Sequence, residues 1–301
     1  MDLRQRRQLL AIAEHRSLGR AAAALNLTQP ALTKSIRRLE EEIGAQLFDR
    51  RPRGMELTVF GQALARHARL LEVGLRDGLA EVEALKGGHV GFVAVGAGPS
   101  WLSRFLPLAV SRLLARRPGV KVRVIGGFDD LLMRELREGN IDLVVAALPD
   151  RAERDVSVQH LSADDLHVIA RSGHPLAGSG TIGLAELLSF PWVLPGKEAL
   201  LRQRLESAFR SGGLAPPVPL VESDTFSFIL ETLRLTDCLG YGTSQTIGAE
   251  AAVTGLVALD VPDAVRRRGA GVIYRGGSTL SGAAQGLIGE LRRICEQSEH
   301  N

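Results

Sequence analysis

SLGRAAAALNLTQPALTKSIRRLEEEIGAQLFDRRPR, residues 17–53, reads as two short helices joined by a tight turn and followed by a basic loop. Ser17 can accept a hydrogen bond from a free N–H of the first turn, so it caps the first helix. Ala21, Ala22 and Leu25 face inward there, and small side chains let a second helix cross closely. Asn26 and Leu27 make the break. Thr28 caps the next helix, and Pro30 sits in its first turn, where a missing N–H does no harm. Over residues 28–44, Leu32, Ile36, Leu39 and Ile43 form one helical stripe. Gln29, Thr33 and Arg37 lie on another side, with Lys34 and Arg38 beside them. Hydrogen-bonding groups near the N-terminal end and cations further along suit a helix that meets base edges and then phosphates. A merely solvated polar face is the competing reading. Glu40, Glu41 and Glu42 are expected to face solvent or to pair with arginines. Leu47 and Phe48 anchor the following segment, residues 50–54 form a basic turn containing Arg50, and Leu57 returns to the core. Arg53 at the tip suits the narrow minor groove, whose negative potential attracts guanidinium groups. Ahead of this stretch, residues 3–15 read as a helix with Leu3, Leu9, Leu10 and Ala13 on its apolar face.

The whole chain has 301 residues, 45% hydrophobic and 24% charged, enough for two or three domains with ordinary cores. Net charge is +3, unevenly placed: residues 1–60 hold 11 Lys/Arg against 7 Asp/Glu, residues 61–86 balance at 4 each, and the remainder carries −1. The basic surplus at the N-terminal end points to a polyanion partner for that end only. The first residues lack the apolar core of a signal peptide, and no run is long enough to span a membrane, so a cytoplasmic location is expected. Cys238 and Cys295 form no disulfide framework or metal cluster and are expected to be buried thiols. Cys238 as a redox sensor is the alternative. The chain carries no G-x-S-x-G elbow, H-E-x-x-H pair or P-loop, and its seven histidines form no ligand-spaced pair, so no catalysis and no cofactor are expected.

Residues 58–86 contain no proline and predict one helix about 43 Å long. Leu64, Ala68, Leu71, Leu75, Gly78, Val82 and Leu85 alternate in spacing as a coiled-coil seam does. Dimerisation is favoured over packing within one domain, because a DNA reader of this type needs two half-sites at fixed spacing. Gly74 and Gly78 each cost about 1 kcal/mol of helix propensity relative to alanine. Gly87-Gly88 ends the helix. Short β-branched runs at 90–95, 120–125 and 141–147 then alternate with helices. Runs at 156–161 and 166–170 follow, and a second set lies at 192–194, 220–222, 239–241 and 271–274. Parallel sheets of βαβ units are expected, in two α/β lobes joined by crossings near 161–165 and 261–269.

Ligands of open α/β sheets bind beyond the C-terminal strand ends. Gly96 to Trp101 lies at such a place, and Ser100 offers a hydroxyl there. Trp101 occupies the third glycine of a dinucleotide fingerprint, which argues against that ligand. Phe128, Asp129 and Leu148 follow the next strands. Gly196, Lys197, Asp224, Thr225 and Thr243 hold matching places in the other lobe, where Lys197 offers a charge for a carboxylate or is simply solvated.

The N-terminal residues match a family in several parts. Residues 17–25 with Ala21-Ala22, Thr28-Gln29-Pro30-Ala31, Lys34-Ser35-Ile36-Arg37-Arg38-Leu39-Glu40, Gly44 with Leu47-Phe48-Asp49-Arg50, and Leu57-Thr58 with Gly61 resemble the DNA-binding signature of LysR-type transcriptional regulators. The length and layout resemble that family from end to end. The resemblance implies an α/β chain with a winged helix-turn-helix (1–60), a linker and dimerisation helix (61–88) and an effector-binding domain (89–301). That domain is similar to two-lobed periplasmic-binding-protein folds, with lobe I at 89–162 and 268–301 and lobe II at 163–267. Gln29, Pro30 and Thr33 match the family's base-reading positions, and Lys34, Arg37 and Arg53 its backbone and minor-groove positions. The full DNA-facing set is Ser17, Thr28, Gln29, Pro30, Thr33, Lys34, Arg37, Arg50 and Arg53. The implied partners are double-stranded promoter DNA, further copies of the chain as a homodimer or homotetramer, RNA polymerase, and a small effector between the lobes. Family habit makes that effector an organic or aromatic acid, with a sugar or neutral metabolite second. A solute-binding or enzymatic α/β protein whose first helices only oligomerise is the rival reading, and a non-specific architectural DNA protein is a third.

Overall fold

The computed structural model describes residues 2–52, 54–85, 91–151, 153–243 and 255–299. Arg53, the break at Gly87-Gly88 and the side chain of Leu85 lie outside them. The chain divides into two compact units, residues 1–79 with 137–140, and residues 80–136 with 141–301.

In the first unit, α1 (Leu3–His15) starts in a reciprocal cap: the Asp2 carboxylate accepts the Gln5 N–H and the Gln5 side chain accepts the Asp2 N–H, both at 2.7 Å. Leu9 and Ile12 are buried, whereas Leu3 is 64% exposed because the first turn overhangs the small core. Ser17 caps α2 (Leu18–Ala24), and Asn26 supplies a left-handed residue at φ 54° for the turn. Thr28 caps α3 (Gln29–Ile43), which buries Leu32, Ile36 and Leu39 against Leu9, Ile12, Ala21 and Ala22. The stripe stops there. Ile43 is 43% exposed, since the last turn of α3 runs past the core.

Glu40 departs from expectation. Its Oε1 accepts the N–H of Leu47 at 2.8 Å and of Phe48 at 3.4 Å, so it pins the chain where it enters the hairpin of β1 (Phe48–Arg51) and β2 (Gly54–Leu57). Glu42 does pair, with Arg38 at 3.3 Å. The hairpin is held against the α1–α2 corner by the Met55 N–H, which donates to the Arg16 carbonyl at 3.0 Å. Gly54, at φ 120°, is required at that corner, because a Cβ would lie 2.3 Å from the same carbonyl oxygen. Helix α4 (Val59–Leu85) then leaves the hairpin, and its first turns complete this core with Leu64, Ala65 and Ala68. Ala68 is fully buried, so the first part of the expected seam is intrachain packing. The exposed apolar residues come later, at Leu71, Leu75, Leu79 and Val82.

The second unit is built on one seven-stranded sheet. Its elements in chain order are β3 (Gly91–Ala97), α5 (Leu106–Arg116), β4 (Val120–Gly126), α6 (Asp129–Arg137), β5 (Leu143–Ala147), β6 (Val156–Arg171) and α7 (Leu184–Leu187). Then come β7 (Val193–Leu194), α8 (Leu200–Ser211), β8 (Val221–Glu222), α9 (Phe226–Leu235), β9 (Gly240–Thr243), β10 (Leu256–Ala258), β11 (Arg266–Arg275) and α10 (Gly282–Glu299). The sheet runs β10-β6-β11-β5-β3-β4, with β9 also on β6. It is mixed and not parallel as expected: β3 is parallel to β4 and β5, but β11 is antiparallel to β5 and β6, and β6 to β9 and β10. The two runs at 156–161 and 166–170 merge into the single strand β6, which pairs along its length with β11 from Val156↔Arg275 to Leu166↔Arg266. These two strands are the crossings. A bulge at Ala270/Gly271 lets the long pair bend, and Gly271 is needed because a Cβ would lie 2.1 Å from the Gln159 carbonyl.

Alternation between two packed faces explains why β3 and β5 are apolar throughout. Val93, Val95, Leu143, Val145 and Val272 pack on the side of α5 and α10, while Ala94, Val144, Ala146 and Ile273 pack on the side of α6. Lobe II has its own core around Trp192, Phe209, Leu205 and Leu239. Cys238 and Cys295 are both buried.

Candidate functional site

Two regions collect the expected functional side chains. On α3, Gln29, Pro30, Lys34 and Arg37 are exposed, and with Arg38 and Thr33 they line one continuous strip. The helix is oriented by its opposite face, whose three buried aliphatics leave the polar side outward. Lys34, Arg37 and Arg50 have no ion-pair partner among the described residues, so their charge is open to an anion. Arg51, by contrast, is engaged by Asp49 at 3.4 Å and Glu56 at 3.9 Å. Hydroxyls in the set are already committed. Ser17 and Thr28 accept the backbone N–H of Arg20 and Ala31 at 3.4 Å, and Thr33 donates back to the Gln29 carbonyl at 2.9 Å. Ser17 and Thr28 therefore hold helix ends, and Thr33 offers only its acceptor lone pairs and methyl group.

The second region is a closed cleft between the lobes. Five expected residues line it together: Ser100, Trp101, Phe128, Asp129 and Thr243. Ser100, Trp101, Phe128 and Thr243 are buried. Ser100 precedes and Trp101 begins a π-helical turn, Trp101–Phe105, closed by the Leu106 N–H donating to the Trp101 carbonyl, and Pro107 follows in the first turn of α5. The cavity volume is small, about 30 Å³, room for very few waters. Burial pushes the Asp129 carboxyl up from its ordinary range, against the opposing pull of the Arg268 and Arg204 guanidinium groups.

Five expected residues lie outside this lining. Leu148 gives its carbonyl to Arg204 at 3.3 Å instead, and Arg204 also reaches the Asp150 carboxylate at 2.7 Å. One side chain of α8 thus grips the loop after β5. The Gly196 N–H donates to Asp224 at 3.4 Å, Lys197 is exposed, and Thr225 precedes α9 without a side-chain cap bond. Five lining residues escaped the sequence reading, namely Ala146, Leu201, Phe226, Gly242 and Arg268. For Arg268 a signal existed: strand alternation puts it on the face of buried Ala270, inside an arginine run that otherwise reads as a solvated crossing.

Comparison with known proteins bears on both regions. Residues 3–62 match the family described as bacterial regulatory helix-turn-helix protein, lysR family, and residues 86–296 match the LysR substrate binding domain. The chain belongs to the LysR family of DNA-binding transcriptional regulators. Among relatives, the SDS degradation transcriptional activation protein of Pseudomonas sp. is 33% identical over 96% of this chain and 94% of its own. The HTH-type regulator GbpR of Azospirillum brasilense is 34% identical over 74% of this chain and 66% of that protein. Full-length OxyR from Pseudomonas aeruginosa shares the fold at a TM-score of 0.68 and 21% identity, covering 97% and 95% of the two chains. CbnR, a LysR family regulator, does so at 0.66 and 21%, covering 98% and 99%. This LysR-family chain is a regulator and not an enzyme. The rival reading of an α/β enzyme with oligomerising helices gives way, because its first domain matches a DNA-binding family.

Proposed function

We propose that this regulator reads pseudo-palindromic promoter DNA from the cytoplasm as a homodimer or homotetramer, with α3 in the major groove. Gln29, Pro30 and Thr33 read bases, and Lys34, Arg37, Arg50 and Arg53 grip the backbone and minor groove. Ser17 and Thr28 serve by fixing the ends of the two helices. The observation that carries this reading is the outward face of α3, where a hydrogen-bonding end is followed by Lys34 and Arg37, which have no ion-pair partner among the described residues. Pairing of two copies is supported by the apolar row Leu71, Leu75, Leu79 and Val82, 48–60% exposed on α4.

The control element is a small organic or aromatic acid bound where Ser100, Asp129 and Thr243 converge. It acts by shifting the population of arrangements of the two lobes, and so alters half-site spacing or contact with RNA polymerase. Such a ligand works only through unequal affinity for those arrangements. No helix among the described residues is long and apolar enough to cross a membrane. The test is binding of the purified protein to its own promoter region against random duplex at matched moderate salt. Equal affinity for the two rejects the reading, since electrostatic grip alone does not discriminate sequence.

A further inference from the structure

We infer that Arg268 is the specificity-determining anchor of the cleft and selects effectors that carry a carboxylate. This rests on the regulator reading above and goes beyond it by naming the recognising group. Arg268 lines the cleft beside Ser100, Asp129 and Thr243. Its side chain is only 10% exposed, and its Nε has no hydrogen-bond partner among the described residues. The Asp164 carboxylate stands 3.9 Å from its Nη2, beyond hydrogen-bond reach.

A guanidinium has five N–H donors in a planar fork, and burying it without acceptors is costly. A ligand carboxylate offers two in-plane oxygens that match the fork. The neighbouring cation Arg204 is held through its Nη2 by Asp150 and the Leu148 carbonyl. Its Nη1 is likewise buried without a partner among the described residues, but Arg204 is not part of the cleft lining. Lys197, the cation that sequence alone suggests, is exposed and outside the lining. Asp129 faces the same space, and burial pushes its carboxyl toward the neutral form that donates a hydrogen bond. With about 30 Å³ free, an acid larger than its carboxylate widens the cleft as it binds, which ties occupancy to lobe arrangement.

The test uses full-length protein with matched acids and amides at millimolar concentration: acetate and acetamide, benzoate and benzamide. Thermal shift and isothermal titration are read, with promoter-fragment binding by the wild type measured in parallel. At least one acid is expected to raise Tm and to bind about tenfold or more tightly than its amide. Arg268→Gln should lose that preference. Arg268→Gln/Asp164→Asn, which also removes the carboxylate facing Arg268, should lose it too. Equal binding of acid and amide, acid binding unchanged in both variants, or no acid binding at all overturns the inference. Arg268-dependent acid binding without promoter recognition rejects the regulator reading and leaves the anchor standing.

Discussion

Removing the Glu40 carboxylate should free the hairpin from α3. Glu40 Oε1 receives one strong bond from the Leu47 N–H, at 2.8 Å, and one weak bond from the Phe48 N–H, at 3.4 Å. Leu47 is fully buried and Phe48 is 7% exposed, so water does not readily replace the lost acceptor. A charge-assisted bond contributes about 1.5–3 kcal/mol, and the longer one adds less than about 1 kcal/mol. Glu40→Ala should therefore cost about 2–4 kcal/mol locally, while Glu40→Gln, which keeps a neutral acceptor, should cost about half as much. Because the chain divides into two units and multidomain chains depart from two-state unfolding, the readout is amide exchange of residues 46–58 in the full-length protein. At about 1.4 kcal/mol per tenfold, exchange there should speed up at least about 30-fold in Glu40→Ala. Promoter affinity should fall with it. Both variants delete the same negative charge near DNA, so the difference between them isolates the anchor from simple electrostatics. Unchanged exchange in Glu40→Ala, or equal DNA affinity of the two variants, would refute the reasoning.

Gln29→Ala should relax sequence preference by about 1–3 kcal/mol through a lost base contact. Arg37→Ala should weaken binding to all duplexes and lower the salt slope by about 1, so identical specificity and salt slope in the two variants would count against the division of labour on α3. Leu71→Asp with Leu75→Asp should yield monomers by analytical ultracentrifugation with the N-terminal core intact, since both positions are exposed. Ala68→Asp should instead unfold that core, because it is fully buried. His174 is held neutral: its Nδ1 accepts the Leu176 N–H at 3.0 Å, and its Nε2 faces the Asp237 carbonyl at 3.2 Å. Burial lowers its pKa from the usual 6.5, outweighing the raising influence of Asp237, while Arg171 adds to the lowering. The unfolded chain then binds more protons just below that pH, so stability is full above it and falls as pH drops toward the lowered value. His174→Asn should flatten this decline in Tm, and an unchanged decline would place the titration elsewhere.

Much of the DNA-binding domain was legible because its signals are local. A cap needs only a hydroxyl and the next turn, so Ser17 and Thr28 announce the helices they begin. The turn needs a residue that tolerates a left-handed backbone, and Asn26 supplies it. The inward aliphatics of α3 show themselves through helical spacing. The chain's α/β rhythm also reads from short β-branched runs between helices. Only the mixed strand directions escape it, since β6 and β11 pair across about 100 residues of sequence.

By itself, then, the sequence determined the winged helix-turn-helix, the long helix behind it, the α/β class of the rest and the family they compose. Each follows from interactions within a few residues, or from a motif that those interactions produce. Only the tertiary structure decided which polar groups are used up and which remain free. Glu40 became a backbone acceptor and Ala68 a core residue because of what packs beside them from distant segments. Of the ten expected cleft residues, half converge and half lie outside the lining, since the meeting of two lobes depends on how β6 and β11 bend. Arg268 reads as a surface charge in the chain. Burial beside Ser100 and Asp129, with no hydrogen bond to its Nε among the described residues, makes it the group we infer a ligand satisfies.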